Sequence, residues 1–210
     1  MRQLLILGAH CDDIEIGCGG SILAWCEQAP NLAVTWVVFS STGDRKSEAL
    51  KSADAFLADA KEKEVVVKDF RDGFFPYLGG AIKEAFEELK QVCSPDLILT
   101  HYRHDLHQDH RLIAELTWNT FRNHLILEYE IPKYDGDLGS PNLFVPLAEP
   151  ICQRKVDYLL RFFPSQAGKH WFSRDLFLSV LRLRGMEGNV ASTYAEAFYS
   201  RKAVLGVGVS

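Results

Sequence analysis

The stretch that most narrows the possible folds is Leu4-Leu5-Ile6-Leu7, which runs into Gly8-Ala9-His10-Cys11-Asp12-Asp13 and then Ile14-Glu15-Ile16-Gly17-Cys18-Gly19-Gly20. Its apolar run is short and unbroken, as in a strand buried on both faces. The small residues that follow suit a tight turn, which predicts a helix over Ser21–Gln28 entered through glycines. Further β-rich blocks lie at Ala33–Phe39, Glu64–Phe70 and Asp96–Thr100, and helical spacing recurs over Ser47–Lys61 and Leu78–Val92. Strands alternating with helices of this length make βαβ units, so the expected class is α/β, a mostly parallel sheet covered on both faces. Ligands of such sheets bind beyond the carboxyl ends of the strands. One rim would then carry His10–Asp13, Ser40–Arg45, Asp69–Asp72 and His101–His110.

The second half is less regular. Glu128–Pro132 reads as a strand, Asp135–Asn142 as a loop, and Ile151–Phe163 and Ser173–Arg184 as helices. Without a repeat or a long linker, the 210 residues form one expected domain, 1–210, with a capping region from about residue 133. A net charge of −5 argues against nucleic acid or an anionic membrane surface as partner. No apolar run has the length of a membrane span, and the amino terminus lacks the pattern of a signal peptide. The five cysteines, Cys11, Cys18, Cys26, Cys93 and Cys152, are scattered without a Cys-x-x-Cys pair, which points to a reduced, cytoplasmic protein.

Chemistry concentrates in two stretches. The first is His10-Cys11-Asp12-Asp13. The second is His101-Tyr102-Arg103-His104-Asp105-Leu106-His107-Gln108-Asp109-His110, with His107 and His110 one helical turn apart. A catalytic zinc usually has three protein ligands and an open position for water, whose pKa it lowers. His10, Asp13 and His110 supply a suitable set of two imidazoles and a carboxylate. Asp12, adjacent to a ligand but free to point elsewhere, is the candidate general base. His107 is the candidate donor to an oxyanion, with Asp109 fixing its tautomer and favouring its protonated form.

The paired motifs Ala9-His10-Cys11-Asp12-Asp13 and His107-Gln108-Asp109-His110 resemble those of the PIG-L/LmbE-like zinc-dependent deacetylases, which remove an N-acyl group from N-acetylglucosamine-type sugars. Cys11 stands where that family usually has proline. The resemblance implies a Rossmann-like three-layer fold, Zn2+ (or another divalent metal such as Fe2+) on His10, Asp13 and His110, Asp12 as base, and His107 backed by Asp109. It also implies a small-molecule N-acylated amino sugar, free or nucleotide- or lipid-linked, as substrate, and a homo-oligomer as a common state of assembly. Gly17–Gly20, Arg45 with Glu48, Ser165-Gln166 and Ala195–Phe198 look like further family features.

Several residues carry two readings. Arg45 serves as a substrate-binding group for a sugar or phosphate, or pairs with Glu48 one turn on. Asp72 binds substrate hydroxyls or caps a turn. His101 and His104 read as solvated or as supporting groups behind the ligands, while Glu196 has no partner by sequence logic. The rival to an enzyme is a catalytically inactive sugar- or metabolite-binding module of the same fold. Asp12 together with His107 argues against it, since a binder needs no base and oxyanion donor.

Overall fold

The computed structural model describes residues 1–204. The strands are β1 (Gln3–His10), β2 (Ala33–Ser40), β3 (Glu62–Val67), β4 (Leu97–His101), β5 (Leu125–Tyr129), β6 (Leu143–Leu147) and β7 (Tyr194–Ser200). The helices are α1 (Asp13–Gln28), α2 (Asp44–Phe56), α3 (Gly79–Val92), α4 (Gln108–Thr120), α5 (Glu149–Phe162) and α6 (Arg174–Glu187). The seven strands form one sheet in the order β3-β2-β1-β4-β5-β7-β6. Strands β1 to β5 are parallel, and β7 runs antiparallel to both of its neighbours.

The period-two alternation of β1 divides the core. Leu4 and Ile6 face the layer of α1, α2, α5 and α6, and Leu5, Leu7 and Ala9 face α3 and α4. Burying each large aliphatic side chain contributes about 1.5–3 kcal/mol, which is why an unbroken apolar run suits this position. The chain winds outward from β1 to β3, then crosses back through α3 to place β4 on the other side of β1. This reversal of direction opens a crevice at the carboxyl ends of β1 and β4.

Helix α1 begins at Asp13 and runs through the glycines, eight residues before the start expected from sequence. The turn is Cys11-Asp12, and the glycines serve packing. A Cβ on Gly17 would lie 2.2 Å from the Tyr129 ring, and one on Gly20 would lie 2.5 Å from Leu147. Strands β6 and β7 also went unforeseen. Strand β6 contains Pro146 and lies at the edge of the sheet, where a missing N–H is tolerated. Among the described residues, no helix is long and apolar enough to cross a membrane.

Candidate active site

Two neighbouring strands end in histidine, β1 at His10 and β4 at His101. After His10 the backbone turns through Asp12, whose φ of 89° lies in the left-handed region that residues with a Cβ adopt reluctantly. Arg45 pins this turn, its Nη2 donating to the Cys11 carbonyl at 2.8 Å and to Asp12 Oδ1 at 3.3 Å. After His101 a short loop leads to α4, with His107 at its amino-terminal cap and His110 in its first turn.

The structure brings His10, Asp13 and His110 together. His10 Nδ1 lies 3.2 Å from His110 Nε2 and 3.3 Å from Asp13 Oδ2, and the His110 nitrogen is 3.4 Å from the same oxygen. Donors bound at ~2.1 Å around one tetrahedral ion stand roughly 3–3.5 Å apart, so the spacing fits a divalent metal. The far nitrogen of each ring is held by carboxylate. His10 Nε2 is 3.1 Å from both Asp109 Oδ2 and Asp72 Oδ1, and His110 Nδ1 is 2.9 Å from Asp105 Oδ2. Carboxylates behind the rings are the usual way to fix the orientation of metal-binding imidazoles.

The electrostatics agree with a cation site. Burial alone would raise the Asp13 pKa, but His110, His101 and His10 hold it well below the usual carboxylate range. Burial likewise opposes charge on His10, yet Asp13, Asp109 and Asp72 draw a proton onto it. His110 is pushed down to about 4, first by burial and then by the charge of His101, so it is neutral and its lone pair is available at neutral pH.

Asp12 differs from its neighbour. Its side chain bonds Arg45 and none of the imidazoles among the described residues. Burial first, then the charge of Asp13, raise its pKa, with Arg45 and His10 pulling the other way. A buried carboxyl raised toward neutrality suits a general base. His107 Nδ1 accepts the Asp109 amide N–H at 3.2 Å, which leaves the proton of a neutral ring on Nε2. Its ring centroid is 4.9 Å from that of His10 and 4.6 Å from that of His110.

Residues 5–121 match the family described as PIG-L: GlcNAc-PI de-N-acetylase, more than half of the chain. The protein belongs to the PIG-L family. Solved structures share its fold. The conserved protein TT1542 from Thermus thermophilus is 18% identical with a TM-score of 0.74, over 99% of this chain and 98% of that one. An N,N'-diacetylchitobiose deacetylase from Pyrococcus horikoshii is 17% identical with a TM-score of 0.69, over 94% and 82% of the two chains. GalB, the 4-carboxy-2-hydroxymuconate hydratase from Pseudomonas putida, is 18% identical with a TM-score of 0.74, over 100% of both. A deacetylase and a hydratase on one fold mean that side chains, not architecture, must identify the reaction.

In this PIG-L protein several side chains depart from the sequence-based expectation. The Asp109 carboxylate holds His10 and the backbone N–H groups of Gly73 (2.7 Å) and Phe75 (3.1 Å), and it reaches His107 only through its own amide. His107 is not held protonated. Burial, then the charge of His10, lower its pKa and outweigh Asp109. Arg45 turns to the Cys11–Asp12 turn, while Glu48 accepts from the Ser165 amide and hydroxyl at 3.0 and 2.6 Å. Asp72 reaches the crevice with a side chain 62% exposed, in contact with His10 and open to solvent. Cys11, in the position of the family's proline, donates its thiol to the Ser40 carbonyl, and burial pushes its pKa up to about 11, which keeps it a thiol rather than a thiolate.

Sequence alone left His101 between a solvated and a supporting role, gave Asp105 none and found no partner for Glu196. His101 is fully buried and stacked on His110; its Nε2 accepts the Ala9 amide at 2.9 Å and lies 3.3 Å from Asp13 Oδ2. Its place at the end of β4, matching His10 at the end of β1, was the available signal; His104 is exposed. Asp105 receives both His110 and the Lys133 ammonium, the latter at 2.9 Å, and had no signal beyond its acidity. Away from the crevice, Glu196 forms a buried ion pair with Lys155 at 2.7 Å.

Proposed function

We propose that the protein is a metal-dependent amidohydrolase that removes the N-acetyl group of an amino sugar or its conjugate. The observation that carries this reading is a three-donor set held from behind by carboxylates, beside an adjacent carboxylate, Asp12, that bonds none of the three. His10, Asp13 and His110 would hold Zn2+ or another divalent ion. When bound, such an ion supplies a Lewis acid that acidifies water and polarises the amide carbonyl.

The protein's own groups perform the proton transfers. Asp12 takes the proton of the water that attacks the carbonyl carbon. The His107 Nε2–H donates to the oxygen on which negative charge develops, and as a neutral donor it needs no prior protonation. Collapse breaks the C–N bond, the amine nitrogen gains the proton held by Asp12, and acetate leaves. Asp109 positions His10, Asp105 positions His110, and Arg45 fixes Asp12 through the turn. Asp72, at the mouth, is placed to meet substrate hydroxyls.

The test is acetate release from N-acetylglucosamine and its conjugates, with and without chelator. Asp12→Ala should keep the metal and lose turnover, whereas Asp13→Ala and His110→Ala should lose the metal as well. Chelator-resistant activity, or full activity in all three variants, would remove the reading. The inactive binding module predicts sugar binding without acetate release.

A further inference from the structure

The outer face of α4 borders a cavity of about 860 Å3 that shares no lining residue with the metal crevice. Helical spacing puts Arg111, Glu115 and Trp118 on one stripe, away from the buried side that carries His110 and Ile113. Arg122 follows the helix, Arg103 comes just after β4, and Arg201 and Lys202 follow β7. Five cations and one acid therefore line this cavity, in a chain whose net charge is −5.

The cations are held in place without being neutralised. Arg111 Nη1 donates to the carbonyls of Asp105 and Leu106 at 3.0 and 2.5 Å. Arg122 Nε donates to the Asn119 carbonyl at 3.3 Å, and Lys202 Nζ to that of Arg122 at 2.8 Å. The nearby buried carboxylate, Glu128, accepts instead from the Arg103 backbone N–H at 3.0 Å and from Trp118 Nε1–H at 2.5 Å. Exposed arginines elsewhere find acids, Arg154 with Glu27 and Arg174 with Asp157. Gathering like charges without carboxylates to offset them costs free energy that a bound anion recovers. Four of the five are arginines, whose planar forks match phosphate oxygens. The Arg201 guanidinium covers the Trp118 ring at 4.8 Å from its centroid, so the indole braces a cation and is not free to stack on a ligand. Cations arriving from three segments of the chain around a concave wall exceed what one phosphate group engages, and concavity suits a small anion better than a flat membrane surface.

We propose that this cavity binds a small anion carrying at least two phosphate groups, at a site separate from the metal centre. Calorimetry at roughly 0.15 M salt measures inorganic pyrophosphate, ADP and inorganic phosphate against chelator-treated protein, so that no metal competes for the ligand. Pyrophosphate and ADP should both bind, and phosphate at least tenfold more weakly. Arg122→Gln and Arg201→Gln, at exposed positions where thermal melts should stay close to wild type, should each weaken pyrophosphate and ADP at least fivefold. Lys51→Gln, which removes an exposed charge from α2, should leave both affinities unchanged. Absent pyrophosphate binding, phosphate bound as tightly as pyrophosphate, or an equal loss in all three variants overturns the proposal. So does affinity unchanged in both arginine variants. Capture of the protein by an anionic vesicle or an oligonucleotide without pyrophosphate binding also overturns it and assigns the charge to a larger partner.

Discussion

Helix α1 is flanked by two buried charged clusters of opposite character. Along its middle, Lys155 donates to the Ile16 carbonyl at 2.6 Å and to Glu196 Oε1, while Glu196 accepts from the amides of Gly20 and Ser21 at 2.7 and 2.6 Å. One ammonium meets one carboxylate, and each of these contacts ends within the protein. At the amino-terminal end of the helix, buried Asp12, Asp13, Asp105 and Asp109 crowd around His10, His101 and His110, and the excess negative charge draws a proton onto His10. The first cluster is complete as it stands, whereas in the second four buried carboxylates outnumber the two fixed cations, Arg45 on Asp12 and Lys133 on Asp105, and could hold a metal ion. Charge balance, more than burial, separates the structural cluster from the functional one.

The widest separation should come from Asp12. Asp12→Ala is expected to lower kcat by roughly 10³-fold, a typical contribution of a positioned base, with metal content by elemental analysis and melting behaviour close to wild type. Loss of the metal in this variant would make Asp12 a ligand and erase the distinction from Asp13. At the structural cluster the sign reverses. Glu196→Ala should cost about 3–5 kcal/mol in urea unfolding, because it strands a buried ammonium, while activity per folded molecule persists. Adding Lys155→Met should recover much of that loss, since the Ile16 carbonyl and the Gly20 amide are four residues apart and can form an ordinary helical hydrogen bond. A double variant as unstable as the single one would give the pair a role beyond mutual neutralisation. A smaller effect is expected for Asp105→Asn, which should weaken metal retention against a competing chelator by roughly 10–100-fold, the usual result of removing a carboxylate behind a metal-binding imidazole.

What the sequence discloses follows from how far apart the cooperating residues lie. Strands β1, β2 and β4 announce themselves because a strand buried on both faces is apolar over consecutive positions. The two stretches that meet in the crevice were likewise readable, since His10, Asp12 and Asp13 occupy one turn at the end of β1 and His107 and His110 the start of α4. The glycines of α1 misled because they look like turn residues, whereas they answer to Tyr129 and Leu147 far along the chain. Strand β7 was hidden by Glu196, whose polarity suggests surface unless Lys155 is known to meet it. Asp105 and Lys133 gain their roles only from a contact made in three dimensions.

Glu15 tests the comparison at its finest, because it lies between the two clusters and belongs to neither. It is buried in the first turn of α1, its Oε2 has no hydrogen-bond partner, and burial above all pushes its pKa up from 4.5 to about 8. An acid whose pKa is higher in the native state keeps its proton there while the unfolded chain releases it. The native state therefore binds more protons between about pH 4.5 and 8, and stability must fall as pH rises through that window and level off above it. The slope is about 1 kcal/mol per pH unit. Glu15→Gln cannot titrate and should remove this component, so urea unfolding of the two proteins at pH 5, 6.5 and 8 should show the variant gaining on the wild type as pH increases. Parallel profiles would mean that Glu15 is ionised in the native state, with a cation compensating it, and would place it with the crevice rather than apart from it.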